Sequence, residues 1–527
     1  MLFSWQVYDD SRHLLKQSES YVSFGTLHIK ADLPSCTLGS VRASAKIPVS
    51  HNERIFINGY QTWTSCPELG YYDRIRGLNS VPKVLKDKFA FDRYGDYHFV
   101  GYPEKKGILH GFSWMTLRRG GYYRLLASLD ERPGYTMFTL DCENEEIRLE
   151  RDCAGLETEG EYPLFDLFYA EGTEQQVFDA WFHAMNIHPR TMSKIAGYSS
   201  WYNRYQKISE ESILQDLKGC SELFCEGDLF QIDDGWEEHV GDWLRTDRKK
   251  FPHGMKEMAD RIHSAGFKAG LWLAPFAAEE ESVLYKEHPD WFYKADGLPW
   301  KCGSNWSGFF SLDINNPEVI AYLREVFDTV LNKWGYDLVK LDFLYAAAPF
   351  GNAEETRAGR MYRAMEMLRE WCGDKLMLGC GVPVMPAFGI ADYCRISCDV
   401  TLDWDDKLYM RAFHRERTST KNAVANILSR RQLNSRAYLS DPDVFFLRSN
   451  NISLNEKQKS SLAQLDALLG GVFLISDDPS SYTEEMKRKY REYRKLMQAH
   501  DIRVRVIGER AEISCLLDDE ELKLILF

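Results

Sequence analysis

The chain has 527 residues, 44% hydrophobic and 27% charged, with no low-complexity tract; that length exceeds one ordinary domain and can supply a large core. Net charge is −14 with acidic groups spread along the chain and no basic stripe, which disfavours a nucleic-acid or anionic-membrane partner. The first residues carry no signal-peptide pattern and no window suits a transmembrane helix, so a cytoplasmic location is expected. Twelve cysteines at irregular spacing show neither a disulfide framework nor a zinc pattern, so reduced thiols, no metal and no cofactor are expected.

Over residues 1–175, short β-rich runs at Tyr21–Ile29, Arg54–Ile57, Tyr122–Leu129, Tyr135–Leu140 and Glu146–Leu149 alternate with turn residues. They predict an N-terminal β-sandwich. Glu174–Met185 has helical spacing, and strands and helices then alternate. Strand-like runs fall at Ile195–Ser200, Asp228–Asp233, Lys268–Ala274, Leu338–Phe343, Leu376–Cys380, Tyr393–Ser397, Arg436–Ser440 and Val472–Ser476. Helical stretches between them include Glu210–Leu223, Gly254–Ser264, Pro317–Lys333, Glu355–Trp371 and Leu454–Leu469. Eight such units over roughly 280 residues predict a catalytic (β/α)8 TIM barrel at 176–498. A doubly wound sheet is the alternative, but no Gly-rich phosphate fingerprint follows the first strand. The long connection Pro275–Asn316, with Trp300-Lys-Cys-Gly-Ser-Asn-Trp306, is expected to rim the active face. Residues 499–527 alternate apolar and polar positions and predict a short C-terminal β-element.

Catalytic groups of a barrel lie at the C-terminal ends of strands. Those ends carry Asp233 and Asp234, Trp272, Lys340 and Asp342, Cys380, and Arg395 with Asp399. A turn or helix cap explains any one of these aspartates, but explains the set poorly. Lys340 and Asp342, two apart on a strand, share a face, where the ammonium is expected to hold Asp342 ionised. Asp399, facing other carboxylates, is expected to keep a proton. One ionised and one protonated carboxyl is the pairing used in glycoside hydrolysis. Asp233 and Asp234 suit gripping sugar hydroxyls, and 13% aromatic content is compatible with stacking on pyranose faces. An alternative makes Lys340 a Schiff-base nucleophile, which leaves Asp399 without a role.

Taken together, Gly197-Tyr-Ser-Ser-Trp-Tyr202, Phe230-Gln-Ile-Asp-Asp234, Gly241-Asp-Trp243, Trp272-Leu-Ala-Pro-Phe276, His288-Pro-Asp-Trp291, Lys340-Leu-Asp-Phe343, Leu378-Gly-Cys-Gly381, Arg395-Ile-Ser-Cys-Asp399 and Asp441-Pro-Asp443 resemble the family 36 glycoside hydrolases. These are α-galactosidases, and the likeness is closest to their compact bacterial and archaeal members. The resemblance implies a retaining, exo-acting α-galactosidase, with Asp342 as nucleophile, Asp399 as acid/base and a small α-galactoside of melibiose or raffinose type as partner. It further implies that Asp233 and Asp234 bind galactose hydroxyls, with Lys340, Trp201, Tyr202, Trp272, Cys380 and Arg395 around the same sugar. Asn58-Gly-Tyr-Gln-Thr-Trp63 resembles a segment that sends Trp63 into the site from the β-domain. Ser397-Cys398 departs from the Gly-Pro common before the acid/base, and the C-terminal domain is shorter than usual. An α-N-acetylgalactosaminidase, a galactosyl transferase of raffinose-synthase type and an inactive sugar-binding protein are the other readings.

Overall fold

The computed structural model describes residues 1–407, 410–412, 414–507 and 510–527. Its N-terminal part is an antiparallel sheet of ten strands. Hydrogen bonding runs continuously through it rather than in two separate layers, because one strand, Gly25–Lys46, spans both halves. Through residues 25–37 that strand pairs with Glu157–Thr173, and through residues 38–46 it pairs with Leu2–Asp9 and Glu146–Arg151. Alternation buries Phe3, Val7, Ile29, Leu33, Val41, Phe138, Leu140 and Leu149 in one core. The expected run Tyr21–Ile29 is broken: Leu14–Tyr21 ends one strand and Gly25, at φ +89°, opens the next. Between Ile57 and Ile108 no strand forms; the segment instead holds a helix at Lys83–Phe89 and a short 3-10 turn at Phe91–Arg93.

All eight expected parallel strands are present. They are β1 (Ile195–Ser199), β2 (Leu229–Ile232), β3 (Lys268–Leu273), β4 (Leu338–Leu341), β5 (Leu376–Gly379), β6 (Tyr393–Arg395), β7 (Leu439–Asp441) and β8 (Val472–Ile475). β7 begins three residues later than expected, since Arg436–Tyr438 form a turn in which Ser435 N–H donates to Tyr438 O. Neighbours in sequence are neighbours in the sheet from β1 to β7. β8 pairs with β1 on one side and with Val444–Phe445, just beyond β7, on the other. Gly471 N–H also donates to Ser440 O at 2.8 Å. The curled parallel sheet therefore meets its own starting strand. Its strands are buried on both faces, as a sheet wrapped by crossover helices requires.

After β3 the chain makes a small antiparallel sheet from Ala277–Glu279, Lys301–Gly303 and Phe309–Ser311. This anchors the long connection, with Ser311 Oγ donating to Ala346 O. Residues His500–Ile507, Arg510–Leu517 and Glu520–Leu526 form a three-stranded antiparallel sheet at the C-terminus.

Two devices join the N-terminal sheet to the curled one. Helix Glu174–Met185 inserts Trp181 between Trp114 and Phe388, with ring centroids at 5.4 and 6.0 Å, and its indole N–H donates to Ser128 O. Arg430, at the end of helix Thr420–Arg430 and wholly buried, donates to Thr62 O, Gln61 O and Ile396 O at 2.6–3.0 Å, and to Asn58 Oδ1 at 3.0 Å. Asn426 of the same helix accepts from Cys66 N–H and donates to Thr64 O. These contacts fix residues 58–66, and with them Trp63. Substituting Arg430→Ala leaves several buried carbonyls unpaired and should cost about 3 kcal/mol or more. A urea midpoint unchanged from the parent would contradict this role.

Candidate active site

Alternation along β4 sends Lys340 and Asp342 to the same, inner side of the sheet. The nearer partner of the Lys340 ammonium is Asp233 Oδ2 at 2.9 Å; Asp342 Oδ2 stands at 4.0 Å. The ammonium stands close to Asp342, as the spacing predicts, but its hydrogen bond goes to Asp233, a partner the spacing alone does not supply. The register across β2, β3 and β4 brings Asp233 within direct hydrogen-bonding reach, and Asp342 receives the field rather than the bond. Burial works to lower the Lys340 pKa, but the two carboxylates outweigh it and push it well up. A lysine whose cationic form is favoured in this way is poorly suited to act as an amine nucleophile.

Asp342 is held by neutral donors. Trp272 Nε1–H donates to Oδ2 at 3.2 Å and Phe343 N–H to Oδ1 at 2.9 Å, while the Asp342 N–H donates to Leu273 O. Phe343 adopts φ 53°, a left-handed conformation unusual for a bulky residue. That turn puts its ring between Trp63, Trp306 and Phe309, each 5.0–5.1 Å away centroid to centroid.

Asp399 follows β6. Arg395 Nη1 contacts its Oδ1 at 2.7 Å, but the same guanidinium also holds Asp441 through Nε at 3.0 Å and Asp443 through Nη2 at 2.9 Å. One cation shared by three carboxylates cannot neutralise them all. Burial, opposed by Arg395 and Lys340 and reinforced by Asp342, leaves the Asp399 pKa raised. About a third of its side chain (35%) still faces the cavity. Behind it, burial pushes Asp443 up to about 7, against Arg395 and the Tyr202 hydroxyl that donates to it at 2.5 Å.

Asp233 and Asp234 end β2. The Asp234 N–H donates to Asp233 Oδ1, and Asp234 Oδ2 accepts from Gln206 Nε2 at 2.8 Å and Trp306 Nε1 at 2.9 Å. Burial raises the Asp234 pKa, and that of the adjoining buried Glu237 is raised further, by burial and by the Asp234 charge. Asp234 Oδ1 is buried with no protein partner.

Asp342, Asp399, Asp233, Asp234, Lys340, Trp63, Trp201 and Trp272 line a single cavity of about 460 Å³. Three other expected residues stand one layer back. Tyr202 is buried against Asp443, Cys380 accepts from Trp63 Nε1–H at 3.2 Å, and Arg395 lies 3% exposed beneath Asp399. The sequence reading missed Gln206, the wall formed by Phe89, Phe91 and Tyr94 of the N-terminal part, and His414, Glu416 and Arg417 of the loop after β6. Gln206 carried a usable signal, following closely on the Trp201-Tyr202 run at the end of β1. Among the described residues no group of three His, Cys, Asp or Glu side chains is arranged to hold a metal ion, and no helix is long and apolar enough to cross a membrane.

Residues 186–366 match the Melibiase family model. The chain is 28% identical over 183 residues to an α-galactosidase of Escherichia coli, a match covering 33% of this chain and 25% of that protein. It thus spans about a quarter of the length of that curated relative. Among solved structures it resembles the α-galactosidase TtGalA of Thermus thermophilus, in complex with p-nitrophenyl α-D-galactopyranoside. The TM-score is 0.74 and the identity 28%, with 94% of this chain and 98% of that one covered. The family 36 α-galactosidase AgaA of Geobacillus stearothermophilus shares the fold, with a TM-score of 0.63 and 15% identity over 97% of this chain and 72% of that one. The resemblance drawn from the motifs thus holds at the level of both sequence and fold.

Raising Asp443 from the ordinary 3.8 to about 7 means that the folded chain binds this proton more tightly than the unfolded chain does. The contribution to stability is then full below about pH 4 and is lost as pH rises towards 7. In Asp443→Asn, unfolding free energies measured from pH 4 to 7 should fall less steeply than in the parent; an identical slope would rule out this assignment.

Proposed function

We propose that the chain is a retaining, exo-acting α-galactosidase, acting on terminal α-linked galactose of small oligosaccharides. The observation that carries this reading is one cavity presenting two carboxyls in opposite settings. Asp342 is surrounded by N–H donors and the Lys340 cation, while Asp399 is pushed towards its protonated form. The likeness to a galactoside-binding enzyme along nearly the full length of both chains supports it. In this reading the curled sheet is the catalytic (β/α)8 barrel at 176–498, flanked by the β-domain at 1–175 and the β-element at 499–527. The twelve unpaired cysteines support a cytoplasmic, reducing setting.

The geometry suits a double displacement. Asp342 attacks the anomeric carbon while Asp399 gives its proton to the departing glycosidic oxygen. A covalent β-galactosyl ester forms; Asp399, now a carboxylate, then takes a proton from water, which cleaves the ester and restores both groups. Asp233 and Asp234, which both line the cavity, accept from galactose hydroxyls. Lys340 holds the Asp233 carboxyl in place through its 2.9 Å contact.

Hydrolysis of an aryl α-galactoside tests the reading directly; a parent enzyme inert on aryl α-galactosides, melibiose and raffinose would refute it. Asp342→Gly should lower turnover by about 10⁴-fold or more, with azide restoring activity and yielding the β-galactosyl azide. Because Asp399 must hold its proton to act, the rate of the parent should fall on the alkaline side as that proton is lost. Asp399→Ala should abolish this limb and spare activated aryl leaving groups more than natural ones.

A further inference from the structure

The loop after β6 builds a second cavity beside the first. It encloses about 210 Å³ and is lined by Arg74, Arg76, Arg411, His414, Arg415 and Arg417, with no carboxylate in its wall. His414 and Arg417 line the catalytic cavity as well, so the two spaces share a wall. In a chain of net charge −14 such a concentration of cations needs an explanation.

Internal pairing does not supply one. Arg411 and Arg417 both turn to the single carboxylate of Asp405, at 3.3 and 3.0 Å. Arg415 spends its guanidinium on Ser65 O. Glu416, the nearest other acid, is taken up by the hydroxyls of Thr64 and Tyr97. Arg74 and Arg76, both exposed, have no carboxylate partner among the described residues. Two buried donors are also unsatisfied: Arg417 Nε, and His414 Nδ1, which stands 3.9 Å from Glu416 and is 8% exposed.

The position of this cavity indicates which part of a substrate reaches it. Ser419 N–H donates to Asp399 O at 2.9 Å, so the loop that carries the arginines returns to the residue that protonates the leaving group. The aglycone departs on that side. We infer that the arginine cavity is a leaving-group subsite for an anionic aglycone: the favoured substrate is an α-galactoside whose aglycone carries a phosphate or carboxylate group. This rests on the galactosidase reading and narrows its substrate class. Arg74 and Arg76 meet the charge from the outer side, and Arg417 and His414 donate from the side shared with the catalytic cavity.

Initial rates at low salt on α-galactosyl glycerol and on α-galactosyl glycerol phosphate test the inference, using the full chain. The phosphate compound should show a KM about 10-fold lower, as one charge-assisted contact provides. The double variant R74E/R76E, altered only at exposed positions, should raise that KM by about 10-fold or more while leaving KM and kcat for the neutral compound within about twofold. Inorganic phosphate should compete with the anionic substrate and leave the neutral one unaffected. Equal KM values for the two compounds, both insensitive to R74E/R76E, would overturn the subsite while leaving the galactosidase reading intact. Inorganic phosphate altering turnover of the neutral compound would instead make the cavity an effector site and overturn the substrate assignment. Failure to cleave either compound would refute both readings together.

Discussion

The constraint on which the site depends is the position of one guanidinium. Arg395 is buried at the end of β6 and bonds three carboxylates, Asp399, Asp441 and Asp443, through separate nitrogens. Burying a cation is expensive unless it is paired, and burying three anions around it is more so. Burial shifts the cluster towards binding protons: Asp443 rises to about 7, Asp399 is raised, and neighbouring Asp466, buried without any partner for either oxygen, is raised far above 3.8. A single cation thus orients the Asp399 carboxyl while sharing its charge among three acids.

The opposite end of the cavity solves the complementary problem. Lys340 is likewise buried, but it faces two carboxylates rather than three, and the donors around Asp342 are indole and backbone N–H groups. Asp342 thus meets neutral donors at hydrogen-bonding distance and the Lys340 cation only at 4.0 Å. The two carboxyls therefore differ through the ratio of cations to anions in their surroundings. Both are aspartates, and nothing in their own chemistry distinguishes them.

Much of this was legible in the residues. Strand positions followed from the alternation of apolar runs and helices, and the strand-end cluster of Asp, Lys, Arg and Trp pointed to the mouth of one sheet. What the linear pattern misjudged depends on register and distance between strands. Lys340 and Asp342 share a face by periodicity, yet the bond goes to Asp233, because proximity across β2 to β4 is set by sheet curvature. Arg395 and Tyr202 were expected against the sugar, but long side chains at strand ends can turn back under the first layer, and here Asp441 and Asp443 draw them there. The wall made by Phe89, Phe91 and Tyr94 left no periodic trace, because that segment is shaped by docking onto the rest of the chain and not by its own propensities.

That docking explains why the N-terminal part belongs to the site at all. Trp63 reaches the cavity only because Arg430 clamps the carbonyls of residues 61 and 62 from a helix of the curled sheet, and its indole then finds Cys380. Gly381, at φ +58°, lies so close to the Trp63 ring that an added Cβ would stand 2.7 Å from it. The indole is therefore confined between two chain segments that sequence separation places far apart. The cavity closed in this way runs from Asp342, whose side chain is 11% exposed, to Asp399, 35% exposed, and on to Glu416 and Arg417 of the loop after β6. His414 and Arg417 of that loop also line the neighbouring arginine-rich cavity, so the two spaces lie side by side at that end. A substrate able to use both would be neutral where it is cleaved and charged where it departs.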